Sequence, residues 1–350
     1  MLDFKPSPQK PLLFFQQCSA YQASLTTRIH TSSGTEVLVK HEGNRMGLGS
    51  FKGLGGIYAV AQLISDQWEV IHGSPLEPSE LLSSPVREMA QSISFVCASA
   101  GNHGLAVAAG ARLLGASSTV YLSQAVPDNF EKALLAQGAF VIRSGNTYEE
   151  SMAAAMADAN STGAILLADS SWPGYEYPPS LIMEGYTVIA EELKKEFERD
   201  VNWPSHVYLQ AGVGGFAGAI TYMIRHNWPV QPIIYIVEPE FAPCLKASHE
   251  AGKPVNVAGP ISTMGRLDCK EPSIIAFNIL QISQVNYITV SDKDADDATH
   301  KLHKNGLSTT PSGAAGFAAL LKTETLHTAQ ANQAFKPMIF VTENANTCIE

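Results

Sequence analysis

The amino-acid sequence predicts an α/β protein with doubly wound sheets, and three observations support this fold class. Short runs rich in β-branched and aromatic residues alternate with alanine-rich stretches of helical periodicity, as in chains built from βαβ units. Glycine-rich turns stand where several of these runs give way to a helical stretch. The chain of 350 residues, 45% of them apolar, is long enough for about two domains with cores of their own.

The predicted strands are short runs in which β-branched and aromatic residues dominate. They cover 94–98, 118–122, 140–143, 206–210, 233–237 and 338–341. Three stretches have the Ala and Leu content of helices that pack on a sheet, and they cover 103–114, 129–137 and 147–156. The last of these helices is led by Thr147, with Glu150 three residues later, which is the spacing of a capping box.

Two loops rich in Pro, Ser and Gly, around 73–85 and 172–179, are the predicted domain boundaries. They enclose a smaller α/β domain, residues 86–187, within a larger domain formed by residues 1–85 and 188–350. A cleft between two such domains is a usual place for a small-molecule site. We therefore expect the chemistry of this protein at that cleft.

Composition excludes several classes of partner. The 33 acidic residues outnumber the 23 basic ones, and the net charge of −10 argues against binding to nucleic acid or to an anionic membrane. The longest apolar runs, such as 164–168, are far shorter than the roughly 20 residues of a membrane span. The first residues are charged and contain proline, unlike a secretion signal. We therefore expect a cytoplasmic protein.

The five cysteines show no metal-binding pattern, because none forms a CxxC pair and none has a histidine at ligand spacing. We therefore expect no metal site. Cys244 and Cys269 could approach each other in the fold. Two buried free thiols are favoured over a disulfide there, since disulfides are rare in the cytosol.

The segment 45–56 (Arg-Met-Gly-Leu-Gly-Ser-Phe-Lys-Gly-Leu-Gly-Gly) places Lys52 just before the apolar pattern of a helix. The helix dipole repels a lysine at this end, so Lys52 does not serve helix stability. One interpretation is an ordinary surface lysine. The other is a desolvated lysine with a lowered pKa, which would suit Schiff-base chemistry.

The segment 99–104 (Ser-Ala-Gly-Asn-His-Gly) directly follows the strand at 94–98 and opens a helix. Its glycines allow a tight turn, and Ser99 and Asn102 bring polar side chains next to the free N–H groups of the helix start. Such a turn could hold a carboxylate. It could equally be a plain connection between a strand and a helix.

The segment 210–218 (Gln-Ala-Gly-Val-Gly-Gly-Phe-Ala-Gly) also lies between a strand and an alanine-rich helix. It satisfies the pattern G-x-G-x-x-A, and Glu238 closes the following strand, so a dinucleotide site is one interpretation. The same glycines could instead bind a single phosphate ester. The spacing does not decide between the two.

Asp169 ends an apolar, strand-like run and enters a loop that contains Trp172 and Tyr175. An acid at the carboxyl end of a buried strand is well placed to act as a base or to bind a substrate amine. The alternative is a helix cap or a solvated loop residue.

Together these segments resemble the fold type II pyridoxal-phosphate enzymes, the class of the tryptophan synthase β-subunit. Lys52, the 99–104 turn and the glycines at 212–215 stand in the order typical of that class. Within the class the chain is similar to the diaminopropionate ammonia-lyases over nearly its whole length. The segments that carry this similarity are 45–56, 169–176, 182–186, 210–214 and 269–272. The resemblance implies two doubly wound open-sheet lobes, a large cofactor-binding domain and a small mobile domain that carries the substrate-carboxylate loop.

The resemblance also implies a role for each motif residue. Lys52 would form the Schiff base with pyridoxal 5'-phosphate, and Asn102 would hydrogen-bond the phenolic oxygen of that cofactor. Thr342 would face the pyridine nitrogen, where a neutral hydroxyl leaves the ring unprotonated. The residues implied in binding the cofactor phosphate are Gly212, Val213, Gly214 and Gly215. The residues implied in binding the substrate carboxylate are Ser99, Ala100, Gly101 and His103. Asp169 would recognise or protonate a distal amine of the substrate.

The implied activity is that of a carbon–nitrogen lyase, a homodimer that converts 2,3-diaminopropionate to pyruvate and ammonia. Ala100 stands where this family has Asp, so a dehydratase of serine, threonine or 3-hydroxyaspartate is an alternative. A relative that binds the cofactor without catalysis is another. An oxidoreductase that binds a dinucleotide through residues 212–217 and Glu238 would explain one motif, but it would leave Lys52 and the 99–104 turn without a role.

Overall fold

Residues 4–99, 101–328 and 335–345 are described by a computed structural model, and within them the chain forms two β-sheets. The strands in chain order are β1 (Thr26–His30), β2 (Glu36–His41), β3 (Ser94–Ala98), β4 (Ser117–Leu122), β5 (Phe140–Arg143), β6 (Ile165–Leu166), β7 (His206–Gln210), β8 (Ile233–Pro239), β9 (Asn286–Val290) and β10 (Pro337–Val341). The larger sheet has the order β1-β2-β10-β7-β8-β9, and the smaller one has the order β5-β4-β3-β6. All neighbouring strands are parallel except β1 and β2, which form an antiparallel hairpin.

Helices alternate with most of these strands and cover the sheets on both faces. In chain order they are α1 (Gln9–Phe15), α2 (Lys52–His72), α3 (Ser84–Ala90), α4 (Asn102–Leu114), α5 (Asp128–Ala136), α6 (Tyr148–Thr162), α7 (Tyr177–Asp200), α8 (Gly215–Asn227), α9 (Cys244–Ala251), α10 (Ile274–Ile282), α11 (Asp292–Lys304) and α12 (Pro311–Thr328). Across the described ranges, no helix has the length and apolar character needed to cross a membrane. The predicted doubly wound α/β class is confirmed.

The smaller sheet shows why an apolar run becomes a strand here. Along β3, Phe95 and Cys97 lie in the main core, where they pack on the side of α4. Val96 and Ala98 point to the opposite face and pack with Ala155 of α6. Because both faces are covered, the strand is nearly continuous in apolar residues, as is usual for a parallel sheet. The strands predicted at 94–98 and 140–143 are confirmed.

Helix α6 begins as predicted. The side-chain oxygen of Thr147 accepts a hydrogen bond from the N–H of Glu150. The Glu150 carboxylate binds the N–H of Asn146 instead of that of Thr147, so only half of the expected capping box forms. The helix continues beyond residue 156 to Thr162, because the alanines that follow favour it and the first left-handed glycine is Gly163.

In the larger sheet, β10 lies at the centre between β2 and β7. Its side chains Met338 and Phe340 join the main core, while Ile339 and Val341 pack with α12 on the other face. Strands β1, β2 and β9 are absent from the sequence-based prediction. Most residues of β1 are partly or fully exposed, so the apolar pattern that marks a buried strand is missing there.

The two sheets are formed by different parts of the chain. All strands of the smaller sheet fall within residues 86–187, and those of the larger sheet fall outside this range. The predicted boundary at residue 188 lies inside α7, which packs against α2 and α8. A continuous packed helix is a poor hinge, and we therefore propose that the small domain ends in the loop before α7.

Candidate active site

The carboxyl ends of strands from both sheets meet in one cleft. Asn102, which follows β3, donates a hydrogen bond to Glu343, which follows β10. Asp169, which follows β6, pairs with Lys52 at the beginning of α2. Ligands in open parallel sheets bind at the carboxyl ends of the strands, so the cleft is the place where a ligand is expected.

Lys52 is the first residue of α2, and its neighbour Phe51 fixes the chain before it. The N–H of Phe51 donates to the carbonyl oxygen of Thr342 at 3.1 Å. Its ring packs against the rings of Tyr186 and Phe216, with centroid distances of 4.9 and 4.7 Å. These contacts join the start of α2 to the end of β10 and to α7 and α8, so these three elements set the position of Lys52.

Lys52 and Asp169 form an ion pair in this cleft, and each side chain is 22% exposed. Burial lowers the pKa of Lys52, but the Asp169 carboxylate outweighs this and holds the pKa above its ordinary range. Burial raises the pKa of Asp169, but the positive charge of Lys52 outweighs this and holds it below its ordinary range. The Asp169 carboxylate thus opposes the lowering of the lysine pKa that burial would cause by itself.

The turn at 99–104 is fixed by Ser99, whose Oγ accepts hydrogen bonds from the N–H groups of Gly101 (3.3 Å) and Gly104 (3.0 Å). The Nε2 atom of His103 lies 2.8 Å from the carbonyl oxygen of Leu167. Because a carbonyl oxygen only accepts, Nε2 is assigned the proton and Nδ1 is an unprotonated acceptor. Burial lowers the pKa of His103, so this ring is neutral at pH 7.

Arg266 reaches this turn from the segment between α9 and α10. A Cβ atom at Gly101 would lie 3.1 Å from the Cζ atom of Arg266, so the guanidinium rests directly on the backbone of the turn. The same guanidinium lies 5.0 Å from the ring centroid of Phe130 in α5. Sequence analysis did not identify Arg266, because no glycine pattern or strand end marks it. Ala100, the remaining turn residue of the prediction, lies outside the described residues.

Asn102 begins α4 and is 6% exposed. Its Nδ2 donates to Oε2 of Glu343 at 2.5 Å, while its Oδ1 is buried without a hydrogen-bond partner. Glu343 is a second site residue that the sequence analysis missed. Its position directly after Thr342 was the signal that could have identified it.

The glycine loop connects β7 to α8 and comprises Gly212, Val213, Gly214 and Gly215. Gly214 has φ of 98°, and a Cβ atom there would lie 2.9 Å from Cδ1 of Leu245. A Cβ atom at Gly212 would lie 2.9 Å from Sγ of Cys269. The N–H groups of the first turn of α8 have no partner within the helix and carry the positive end of its dipole. The loop therefore offers a binding site for an anion.

Thr342 lies at the end of β10 and is 5% exposed. Its Oγ1 accepts a hydrogen bond from Nε2 of Gln210 at 3.2 Å. The same nitrogen donates to the carbonyl oxygens of Gly313 and Phe340, both at 3.0 Å, which fixes the amide of Gln210. Because the Thr342 oxygen is used as an acceptor here, its O–H remains available as a donor to a ligand.

Several buried polar atoms in and beside this cleft have no hydrogen-bond partner, although such atoms are normally paired. They are Ser50 Oγ, Asn102 Oδ1, His103 Nδ1 and Tyr186 OH. These atoms make the surroundings of Lys52 polar, and the glycine loop would hold an anionic group of a ligand bound there. The residues present thus fit pyridoxal phosphate. Within the described ranges, no group of His, Cys, Asp and Glu side chains could hold a metal ion.

Glu238 is used by the fold itself. Its carboxylate accepts hydrogen bonds from the N–H groups of Leu245 (2.7 Å) and Lys246 (2.9 Å), which caps the start of α9. It is therefore not available to a ribose, as a dinucleotide site would require.

Nearby, Cys244 and Cys269 are free thiols, and burial raises the pKa of Cys269 to about 12.

Comparison with protein families places these residues in a known context. A family described as "Pyridoxal-phosphate dependent enzyme" matches residues 25–334. The chain belongs to this family. Membership confirms the resemblance to the fold type II enzymes and the expectation of pyridoxal phosphate as cofactor. The dinucleotide interpretation of the glycine loop is therefore wrong.

Among the members of this family, diaminopropionate ammonia-lyases are similar to the chain. The enzyme of Escherichia coli K12 is 33% identical over 263 residues, which cover 74% of this chain and 65% of that enzyme. The enzyme of Salmonella typhimurium is 34% identical over 275 residues, which cover 77% of this chain and 67% of that enzyme. The crystal structure of the E. coli enzyme in complex with an aminoacrylate-PLP azomethine reaction intermediate superposes with a TM-score of 0.85 at 26% identity, covering 99% of this chain and 92% of that one.

Proposed function

We propose that this family member is a carbon–nitrogen lyase that converts 2,3-diaminopropionate to pyruvate and ammonia. The observation that carries the proposal is the ion pair of Lys52 and Asp169 in the cleft. The reaction needs a base for the proton on Cα and an acid group that recognises a second amine. Lys52 and Asp169 supply one group of each kind side by side, and the similarity to the diaminopropionate ammonia-lyases supports the same substrate.

Four parts of the site are proposed to hold the cofactor. The N–H groups of Gly212, Val213, Gly214 and Gly215 bind its phosphate, and the Asn102 amide binds its phenolic oxygen. The Thr342 hydroxyl faces the pyridine nitrogen, and Lys52 bonds to the aldehyde. Bound pyridoxal phosphate supplies a carbonyl for the substrate amine and an aromatic ring that accepts the electron pair of the Cα–H bond.

The protons are proposed to move between Lys52, Asp169 and the substrate. The Lys52 amine would be the base that takes the proton from Cα. The Asp169 carboxylate pairs with the distal ammonium group and keeps it protonated. The distal nitrogen therefore leaves Cβ as ammonia and takes the electron pair of the broken C–N bond with it. Water then releases the second nitrogen, and the balance is one diaminopropionate and one water to one pyruvate and two ammonia.

The substrate carboxylate is proposed to bind at the turn of Ser99, Ala100, Gly101 and His103. The free N–H groups at the start of α4 and the nearby guanidinium of Arg266 both favour an anion there. The neutral ring of His103 adds a polar contact without a charge. We further propose that the protein is a cytoplasmic homodimer. We also propose that it has no nucleic-acid or membrane partner, and its net charge of −10 supports this second proposal.

The test of this function is the visible spectrum of the purified protein before and after addition of L-2,3-diaminopropionate, with pyruvate and ammonia assayed in the same sample. We expect a lysine-linked chromophore that changes on addition, and two ammonia released for each pyruvate. Pyruvate from L-serine with none from diaminopropionate would make the protein a dehydratase. A chromophore with no product from either compound would make it a non-catalytic binder.

The glycine loop can be tested separately. Gly214→Ala is expected to weaken cofactor binding by at least about tenfold, because the left-handed backbone disfavours alanine by roughly 1–2 kcal/mol and the new methyl group would contact Leu245 and displace the loop. Absorbance titration of the apoprotein with pyridoxal phosphate measures this affinity. Gly252→Ala is the matched control, since Gly252 also has a left-handed backbone, with φ of 66°, and a Cβ there meets no atom within 4 Å. Equal affinities for both variants would contradict the assignment of the phosphate to this loop.

A further inference from the structure

We propose that Glu343 is a positioning residue that fixes the amide of Asn102 for its contact with the cofactor. Glu343 directly follows Thr342, is 4% exposed, and forms an isolated antiparallel bridge with Ser50, two residues before Lys52. Glu343 therefore lies between Thr342 and the segment that carries Lys52, two parts of the proposed cofactor site, and it has no proposed contact with the cofactor itself. The inference rests on the proposed role of Asn102.

Several hydrogen bonds hold the Glu343 carboxylate in one orientation. Its Oε1 accepts from the hydroxyl of Thr310, and its Oε2 accepts from Nδ2 of Asn102 at 2.5 Å. The Nε atom of Arg266 lies 3.8 Å from the same Oε2. The backbone carbonyl of Glu343 accepts from the hydroxyl of Thr309 at 2.6 Å. The carboxylate is thus anchored at the start of α12 and offers one oxygen to Asn102.

The chemistry of this contact determines which end of the Asn102 amide faces Glu343. The Asn102 amide turns its NH₂ end to Glu343, where Nδ2 donates to Oε2, so its carbonyl end points away. In an amide placed this way, one N–H is held by Glu343 and the second remains available for a ligand. The Oδ1 atom, buried and unpartnered, shows that no group of the described fold competes for the other end.

Loss of Glu343 removes this constraint. The amide could then turn over, and its carbonyl would replace an N–H donor at the phenolic oxygen of the cofactor. An N–H donor stabilises the anionic form of that oxygen, so losing it makes the oxygen a stronger base. The lysine-linked chromophore would hold its proton more tightly. Its spectroscopic titration should therefore move to higher pH.

The test compares purified holoenzymes without substrate, so it does not depend on the elimination reaction. For Glu343→Ala we expect the midpoint of the chromophore titration to rise by on the order of half a pH unit, and cofactor affinity to fall about tenfold. Glu343→Gln should remain close to the wild type, because its carbonyl oxygen can still accept from Asn102. If Glu343→Ala does not fold, Glu343→Asp replaces it, since the shorter side chain withdraws the carboxylate from Asn102 and keeps the charge.

Glu324→Ala is the matched control. Glu324 is also a buried carboxylate of the large domain, 6% exposed and bound by the hydroxyls of Thr31 and Ser33, but it lies in α12 and has no contact with Asn102 among the described hydrogen bonds. Its loss should lower thermal stability and leave the titration midpoint unchanged. A wild-type midpoint and a wild-type cofactor affinity in Glu343→Ala, or in Glu343→Asp where it replaces that variant, would show that Glu343 has only a structural role. If Glu343→Ala shifts the titration midpoint fully even in an Asn102→Ala background, the proposal is also overturned. A wild-type protein without a lysine-linked chromophore would instead contradict the role of Lys52.

Discussion

Replacement of Lys52 by alanine is expected to lower the rate of pyruvate formation by at least about 10³-fold, because the variant loses both the amine that bonds to the cofactor and the base for the Cα proton. The fold should persist. Lys52 is the first residue of α2, where the helix dipole opposes a positive charge and alanine is a good helix former. Steady-state pyruvate assays and far-UV circular dichroism measure the two effects.

Lys293→Ala is the appropriate comparison for this variant. Lys293 also lies in the first turn of a helix, α11, and also pairs with an aspartate, Asp297, but both side chains are largely exposed and remote from the cleft. We expect wild-type rates for this control. A Lys52→Ala enzyme that turned over at the wild-type rate would show that another group does the chemistry.

Replacement of Asp169 by asparagine is expected to reduce turnover of diaminopropionate by about 10²-fold or more, and turnover of L-serine by a smaller factor. The first effect follows from the lost carboxylate, which can no longer pair with the distal ammonium group. The second follows because Lys52 would lose the partner that raises its pKa, and both substrates depend on Lys52. The ratio of kcat/KM for the two substrates is the decisive measurement.

The comparison variant is Asp128→Asn. Asp128 begins α5 and pairs with Arg143 at 2.8 Å, but its side chain is 87% exposed, so the substitution removes one ion pair without touching the cleft. Its substrate ratio should equal that of the wild type. If Asp169→Asn lowers kcat/KM by the same factor for both substrates, Asp169 does not have the proposed role at the distal amine.

Features that depend on neighbours in the sequence were predictable. The strand at 94–98 is a short apolar run after a turn, and its burial on both faces follows from that run. The start of α6 depends on one hydrogen bond, between Thr147 and Glu150 three residues away. Lys52, the 99–104 turn and the glycine loop were identifiable because each stands where a helix begins, and helix starts have local signatures.

Features that depend on distant contacts were not predictable. Asn102 and Glu343 are 241 positions apart, and only the meeting of β3 and β10 at one cleft joins them. The raised pKa of Lys52 also depends on a distant contact, since its partner Asp169 is 117 positions away. Burial lowers the pKa of Lys52, and the Asp169 carboxylate outweighs this effect.

The central position of β10 has a consequence for the order of folding during synthesis. The strands of the smaller sheet span only residues 94–166 and can pair while the ribosome is still extending the chain. The larger sheet must form later, because among the described residues β2 and β7 are joined through β10, and residues 337–341 follow all its other strands in the chain. Until they emerge, β1–β2 and β7–β9 are two separate pieces with unpaired strand edges, which favour aggregation. Thr342 and Glu343 directly follow the same strand, so the site lacks both residues until β10 has been made.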